Sequence, residues 1–549
     1  MKKIIRLFTV ALALSLLIIS LASCGEYEPE TVEVSSSDEL LEATKYVERK
    51  KDAGSVKKYL PSENDIKITS DFTIRTQDAF FAHSLERDYS IKNIGLDYRD
   101  LPIVENMVFD GQGHTITIKG ETNGKLGTYT TGIFSKAVNC EFKNINIIYD
   151  LDLNVSNSDV NFGGLVGTAS GCTFTNCTVT YKRITQGYTS RFGGMVGWLG
   201  DGSTMTGCSV KGNLTASGET DFGGLVGVCG VATVIDSSFE GKITSQNLCD
   251  STVGGLVGWL EGGEVKTSTV KIEQLSFMAK TTTWSNGFAY CGGLAGVIRG
   301  SGNLHDCVVK FKDGGYIEAA DKTSSSIFKV DVRTGAVAGF ASEGTKVKNI
   351  LVDAKGDEAV NIKFPENSRS INLGIHTNES TSVEKIYYAE TPYVQEYNES
   401  IYNAVNQYIE PKDYIGTFTL GCKSCSIRVC IIQTNEEEME SGEDIIEEYA
   451  LSHMIVKIGD EEFTLTKQRD DSRESAPHFY GEVNGYRYDI ATTTGHGIID
   501  IKVDLAGTGH GEATFVNDYS LIDFSGETGV IGGAENAWTT DSNGKPILR

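Results

Sequence analysis

Between residues 130 and 390 the apolar positions recur in one phase, eight times over. Marker residues Gly132, Gly164, Gly194, Gly224, Gly255, Gly293, Ala336 and Asn372 fall 30 to 43 residues apart. Ten or eleven residues after each stands an apolar side chain: Phe142, Phe174, Met205, Val234, Val265, Leu304, Val347, Val383. Three further on stand Ile145, Cys177, Cys208, Ser237, Ser268, Cys307, Ile350 and Ile386. Two further again stand Ile147, Val179, Val210, Phe239, Val270, Val309, Val352 and Tyr388. The last two positions keep the two-residue period of a strand, whose successive side chains point to opposite faces. The three-residue step before them breaks that period, so a bend is predicted there. A helical stripe would not give this spacing, and Thr, Val, Ser and Gly are poor helix formers. Each unit is therefore several short strands, and such units bury their apolar side chains by stacking into a solenoid. Extra residues near 276–290 and 312–330 are expected as outer loops.

Most markers sit in a glycine string. Phe162-Gly-Gly-Leu-Val-Gly167 returns at 192–197, 222–227 and 253–258, with weaker copies at 291–296 and 334–339. The paired glycines are Gly163 and Gly164, Gly193 and Gly194, Gly223 and Gly224, Gly254 and Gly255, Gly292 and Gly293. Adjacent glycines permit a conformation or a close approach that a Cβ forbids. A phosphate loop would need a lysine after the last glycine, and no repeat has one. The strings are read as packing elements. In the stacked arrangement Cys177 lies over Cys208, and Cys140 over Cys172. Strand spacing permits disulfides there, but Ser237 and Ser268 share the column, and buried thiols that pack as small hydrophobes are the favoured reading.

Outside the array the signals are local. Ser37 is a candidate N-cap, with Glu39 in the first turn and Leu40, Leu41, Ala43 and Tyr46 on one side. This predicts a helix running to Lys51 or Leu60. A strand is expected from Ile66 to Ile74. Another is expected over His114–Ile118, entered through the turn Asp110-Gly-Gln-Gly113. Beyond 391 a short helix is expected at Tyr393–Tyr408. Strands follow at Thr417–Ile432, Met454–Leu465, Phe479–Ile490, Gly497–Val503 and Ala513–Phe524, with a hairpin at Asn484-Gly485. They predict an antiparallel β-domain, or a β insertion before a last coil formed by the terminal residues.

The charge is 49 Lys+Arg against 74 Asp+Glu, net −25. Nucleic acid, whose phosphates need a basic surface, is not an expected partner. The N-terminus reads as a targeting segment: basic Met1–Arg6, then apolar Leu7–Leu21, too short for a comfortable membrane span. Leu21-Ala-Ser-Cys24 resembles the bacterial lipobox. That resemblance implies cleavage before Cys24 and a lipid on its sulfur, hence a membrane anchor on the cell envelope.

Candidate chemistry is thin. The column after Ile147 and its equivalents reads Ile148, Thr180, Lys211, Glu240, Lys271, Lys310, Asp353, Ala389, with no two neighbours acidic. The column before it is polar and holds no acid–base pair. Asp201, Asp221, Asp250 and Glu261 are read as turn residues. Trp198 and Trp259 form a saccharide-stacking strip if outward, and core if inward. Cys422, Cys425 and Cys430 suggest a local disulfide with one spare thiol, or a zinc site lacking a defined fourth ligand. Glu436–Glu448 reads as a solvated loop or helix. No cofactor is expected.

The repeated Phe/Val-Gly-Gly-Leu-Val-Gly strings resemble the GLUG motif of bacterial surface proteins. So do the opening Phe109-Asp-Gly-Gln-Gly-His-Thr-Ile116 and the ending Trp538…Gly544-Lys-Pro-Ile-Leu548. The resemblance implies a right-handed parallel β-helix in an adhesin-like exported protein, with a glycan or surface protein as ligand. The peptidase branch of that group would carry His-Glu-x-x-His, which is missing here. The expected fold is all-β: a parallel β-helix with an N-terminal helical cap and a C-terminal β-rich domain or insertion. The expected divisions are 1–24 signal peptide, 25–104 tether and cap, 105–390 β-helix, 391–535 β-rich region, and 536–549 final coil. The alternatives are a polysaccharide lyase or glycosidase on the same scaffold, or a structural envelope component.

Overall fold

The computed structural model describes residues 29–49, 58–76, 78, 103–120, 132–156, 161–187, 191–246, 250–279, 287–321, 330–353, 362–363, 375–377, 381–389, 393–396, 413–420, 423–437, 446–458, 461–467, 478–483, 486–495, 498–504, 513–516, 524 and 537–549. Cys24 and Cys422 lie outside them.

One coil shows the plan. Asn161–Gly163 makes a short strand, the chain turns at Gly164-Leu165, and Val166–Ser170 follows. It turns again at Gly171, forms Thr173–Thr175, bends at Asn176, and runs out along Thr178–Gly187. Each strand pairs in parallel with its counterpart in the next coil. The result is a parallel β-helix. Its broad face is a 20-stranded sheet carrying the last two strands of each coil. Its glycine face is a 6-stranded sheet of strands such as Arg191–Gly193. Its valine face is a 9-stranded sheet of strands such as Val196–Leu199.

The register places like over like. Phe142 lies opposite Phe174, then Met205, Val234, Val265, Leu304, Val347 and Val383. The column runs back through Phe109 and Ile66 to Val32. These side chains share one core with the Ile147–Val179–Val210 column. Aromatic rings stack along it: Phe142 on Phe174 at 5.0 Å and Phe192 on Phe222 at 4.4 Å between centroids. Such pairs add about 0.5–1.5 kcal/mol each beyond area burial. The predicted bend is present in every repeat. Asn144, Asn176, Gly207, Asp236, Thr267, Asp306, Asn349 and Lys385 all have φ between 48° and 65°. This left-handed region is open to Gly and tolerated by Asn and Asp, which explains six of the eight residues there.

The glycine pairs serve close approach. A Cβ on Gly193 would sit 1.9 Å from the Val196 carbonyl oxygen, and one on Gly194 2.1 Å from the Gly224 oxygen. Glycine alone lets the glycine face fold back tightly onto the valine face. Buried tyrosines seal the corner: the Tyr149 hydroxyl donates to the Gly164 carbonyl at 2.6 Å, and Tyr181 to Gly194 at 2.8 Å. Cys140, Cys172, Cys177 and Cys208 are buried free thiols, as are Cys229, Cys291 and Cys307.

Several expectations are corrected at the ends. The helix is only Ser37–Ala43, capped by Ser36 rather than Ser37. Leu40 and Ala43 enter the common core, but Tyr46–Arg49 turns into a hairpin with Lys58–Pro61. β-Branched and aromatic side chains there favour the strand over a longer helix. The single strand expected over 66–74 is two, Asp65–Ile68 and Phe72–Arg75, which pair with different strands of the next coil. Tyr393–Glu396 is a strand, not a helix. It opens an 8-stranded antiparallel sheet in which Val483 pairs with Tyr486, as a hairpin at that point requires. Segments expected as single strands at 417–432 and 454–465 each span a hairpin. The acidic stretch also straddles a hairpin, with Glu436 opposite Glu447, so it is not one helix.

The chain then returns: Ala513–Val516 pairs in parallel with Ile386–Ala389 as a further rung of the broad face. The terminal residues do not make a last coil. Trp538–Thr540 and Pro546–Leu548 form an antiparallel hairpin. Trp538 packs with Phe524 over Val308 and Leu351 on the outside of the broad face. The Trp538 indole donates to Asp306 at 2.7 Å, and Lys545 is ion-paired with Asp353.

Candidate functional site

The tight fold at the glycine strings sets two outward columns side by side. On the glycine face the register runs Asn161, Arg191, Asp221, Thr252, Tyr290, Arg333. On the valine face it runs Lys136, Thr168, Trp198, Val228, Trp259, Val297, Phe340. Side chains of the two columns meet rung by rung. The Asn161 amide donates to Thr168 at 2.9 Å, and the Arg191 guanidinium lies 3.9 Å from the Trp198 ring centroid. Arg333 lies 4.6 Å from the Phe340 ring and 5.3 Å from Tyr290. Arg299, at the end of the strand Ala295–Arg299, lies 4.7 Å from Trp259 and 6.0 Å from Phe288. Tyr290, Val297 and Phe340, with Trp259 and Phe288, form an apolar cluster outside the main core.

The cations of this strip are all arginine, apart from Lys136 at its N-terminal end. A planar guanidinium stacks on a ring face, whereas an ammonium remains a hydrated point charge. Asp221 lies among them, and its carboxylate accepts from the Thr252 hydroxyl at 2.9 Å. Burial pushes its carboxyl up to about 6, against the opposing pull of Thr252, Arg191 and Arg299. Asp221 was expected as a turn residue but stands on the strand Asp221–Gly223, within the strip. Asp201 and Asp250 do sit at turns, where they accept from the backbone amides of Val231 and Phe288. Trp198 and Trp259 lie on the outer side, half-buried, and not in the core.

The broad face is different. Its cations are mostly lysines, and many of them pair with acids of neighbouring coils. Glu240 is bridged to Lys211 at 3.5 Å, Lys271 at 3.6 Å and Lys312 at 3.0 Å. Lys312 also pairs with Glu273, which reaches Lys242 at 3.8 Å. Hydrogen bonds from Lys312 hold Glu240 and Glu273 below the usual carboxylate range, so both are ionised at neutral pH. Neither is poised as a general acid, which needs a raised pKa. A second cluster joins Glu264, His305 and Asp306. His305 is 3.1 Å from Glu264 and 2.7 Å from Asp306. Burial alone would lower its pKa, but the two carboxylates outweigh burial and raise it. Asp306 also accepts from Asn349 and Trp538, so this cluster clamps the C-terminal hairpin.

The structure leaves the other candidates apart. Cys425 and Cys430 belong to the strand Lys423–Glu437, opposite Phe418 and Asp413 in the backbone register. Their side chains and Cys422 lie outside the described residues. Among the described residues no three of His, Cys, Asp or Glu gather as a metal-ligand set.

Arg191, Arg299, Arg333, Tyr290 and Phe340 were not singled out from sequence. The signal was available for all but Arg299: reading three residues before and four after each marker yields both columns of the strip.

No family model matches the chain, and no curated protein matches it. Among solved structures it is similar to the tailspike protein of Acinetobacter baumannii phage AM24. The identity is 9%, over 74% of this chain and 75% of that one, with a TM-score of 0.17. The β-helix assignment rests on strand register, not on this likeness.

Proposed function

We propose that this chain is a lipid-anchored bacterial cell-surface solenoid of the GLUG-motif kind, with a non-catalytic binding role toward a glycan or a surface protein. The observation that carries the reading is the arginine–aromatic strip, because it sets half-buried indoles and guanidinium groups side by side on a regularly spaced scaffold. The broad face supports the same reading from the other side, since many of its charges are satisfied within the protein. Anchoring through Cys24 rests on the Leu21–Cys24 string alone.

Two experiments test the reading. Metabolic labelling with a fatty acid should mark the wild-type chain and leave Cys24→Ser unlabelled; equal labelling refutes the anchor. The mature chain should bind members of a glycan and envelope-protein array, with Trp198→Ala and Trp259→Ala weakening capture. Capture of nothing across the array refutes the binding role.

The polysaccharide-active alternative has one observation in its favour, the raised carboxyl of Asp221 beside Arg191. Incubation with polysaccharides decides it: shortened chains would establish an enzyme, and intact chains sustain the binding role.

A further inference from the structure

Arg299 is half-buried between two aromatic rings, yet among the described residues no carboxylate lies within ion-pairing distance of it. Other arginines are partnered. Arg183 pairs with Asp152 at 3.0 Å, and Arg333 with Asp331 at 2.9 Å. Withdrawing a guanidinium from water without an anion is unfavourable, and the ring faces offset only part of that cost. Three rungs away Arg191 repeats the theme. Its Nη1 donates to Asn161 at 3.3 Å, while its Nε is buried with no hydrogen-bond partner. The carboxylates nearest to Arg299 are engaged elsewhere: Glu261, opposite it in the register, accepts from the Trp259 indole, and Asp221 accepts from Thr252, which leaves the Arg299 guanidinium unpaired and open to an external anion.

The rings beside these cations narrow the ligand. Trp198, Val228 and Trp259 are successive rungs of one column. The two indoles are therefore about 9.6 Å apart, two inter-strand spacings of about 4.8 Å, roughly the length of a disaccharide. Pyranose rings present an apolar C–H face that packs on an indole, with their polar substituents around the rim. A guanidinium beside the indole then meets an anionic substituent on the sugar, in a bidentate pair if that group is planar.

We propose that the strip from Arg191 to Phe340 binds an acidic polysaccharide, running parallel to the solenoid axis, with the carboxylate or sulfate of one sugar on Arg299 and pyranose rings on Trp259 and Trp198. This rests on reading the strip as the binding face and adds the ligand class. Uronate and sulfate-ester polymers share the recognised chemistry.

Binding of the mature chain is measured by calorimetry or biolayer interferometry to polygalacturonate, to heparin, to neutral dextran and to single-stranded DNA. Binding to polygalacturonate or heparin is expected, with the stronger of the two identifying the anion, and little to dextran or DNA. Arg299→Ala should weaken binding at least about tenfold. Arg299→Lys, which keeps the charge and loses the planar stack, should weaken it severalfold. Lys310→Ala on the broad face should bind as wild type. Circular dichroism confirms that each variant is folded. Equal affinity for DNA would reduce the effect to polyanion attraction and overturn the proposal. So would undiminished binding by both folded Arg299 variants. Binding to dextran or to an envelope protein but to neither acidic polymer would overturn the ligand class while leaving a binding role intact.

Discussion

Gly194→Ala adds one methyl group at the turn between the glycine and valine faces. That carbon would lie 2.1 Å from the Gly224 carbonyl oxygen and 2.6 Å from Val210 Cγ1. The oxygen is backbone, in a rung held by its own ladder bonds, so it cannot swing aside as a side-chain end would. Relief requires two coils to separate by about 1 Å against a rung spacing of about 4.8 Å. The Gly194 amide donates to Gly223 at 3.2 Å and its carbonyl accepts from Gly164 at 3.2 Å. Weakening both costs about 1 kcal/mol each, and overpacking adds about 1–3 kcal/mol. The expected loss is therefore about 3–5 kcal/mol, spread over the rungs that meet at this turn. Gly230→Ala is the matched control. Its nearest neighbour would be the Asp201 carboxylate at 3.4 Å, an ordinary contact, and its φ is not in the left-handed region. That change should lie within about 1 kcal/mol of wild type, on either side. Because a solenoid is held by nearest-neighbour terms, the measurement is hydrogen exchange resolved by peptide, alongside urea unfolding. Faster exchange in Gly194→Ala should centre on the coils around 164–235 and fade outward. Equal protection in the two variants would refute the close-approach account of the glycine strings.

Four further outcomes follow from other positions. Tyr181→Phe removes the hydroxyl bond to the Gly194 carbonyl, which should cost about 1 kcal/mol in urea unfolding, and no loss would show the bond to be idle. Thr267 holds φ at 48°, so Thr267→Asn should stabilise the array by about 1 kcal/mol, read as a higher unfolding midpoint. Burial raises the Asp221 carboxyl from the ordinary aspartate range to about 6 in the folded protein, so the folded protein takes up the proton first. The stability this gives is complete below about pH 4 and is lost as the pH rises through about 6, up to about 3 kcal/mol in all. Asp221→Asn should flatten that part of the stability–pH curve. Burial pushes the Cys229 thiol up to about 12 and raises Cys291 and Cys307 too, so mass-spectrometric labelling at these residues should begin only on unfolding, the thiolate being the reactive form.

The array was readable from sequence because a solenoid imposes one demand in every coil. An inward position must suit the same position above and below it, so Phe142, Phe174 and Met205 declare a column by phase alone. The bend was readable as a missing alternation, and its left-handed residue explains why Asn, Asp and Gly cluster there. The glycine pairs left two explanations open, conformation or contact, and only interatomic distances chose contact. The C-terminal hairpin was misread as a coil because its partner surface is remote in sequence. The outward column that is polar at Thr178, Ser209, Ser238 and Thr269 becomes apolar at Val308, Leu351 and Tyr387. That change announces a cover, though not which segment supplies it. The arginine–aromatic strip was hidden for a related reason: its two columns belong to different strands, and only the glycine turn makes them neighbours.

The rung that Ala513–Val516 adds to Ile386–Ala389 arrives after the whole antiparallel sheet has been laid down. Each earlier coil finds its template in the coil just made, so winding can keep pace with a chain emerging N-terminus first. The distal end cannot be closed on that schedule. Until residues near 513 appear, the strand Ser382–Ala389 presents unmatched amides and carbonyls to anything extended that passes by. A chain cut short between these segments would keep that docking edge permanently, and its natural fate is end-to-end association.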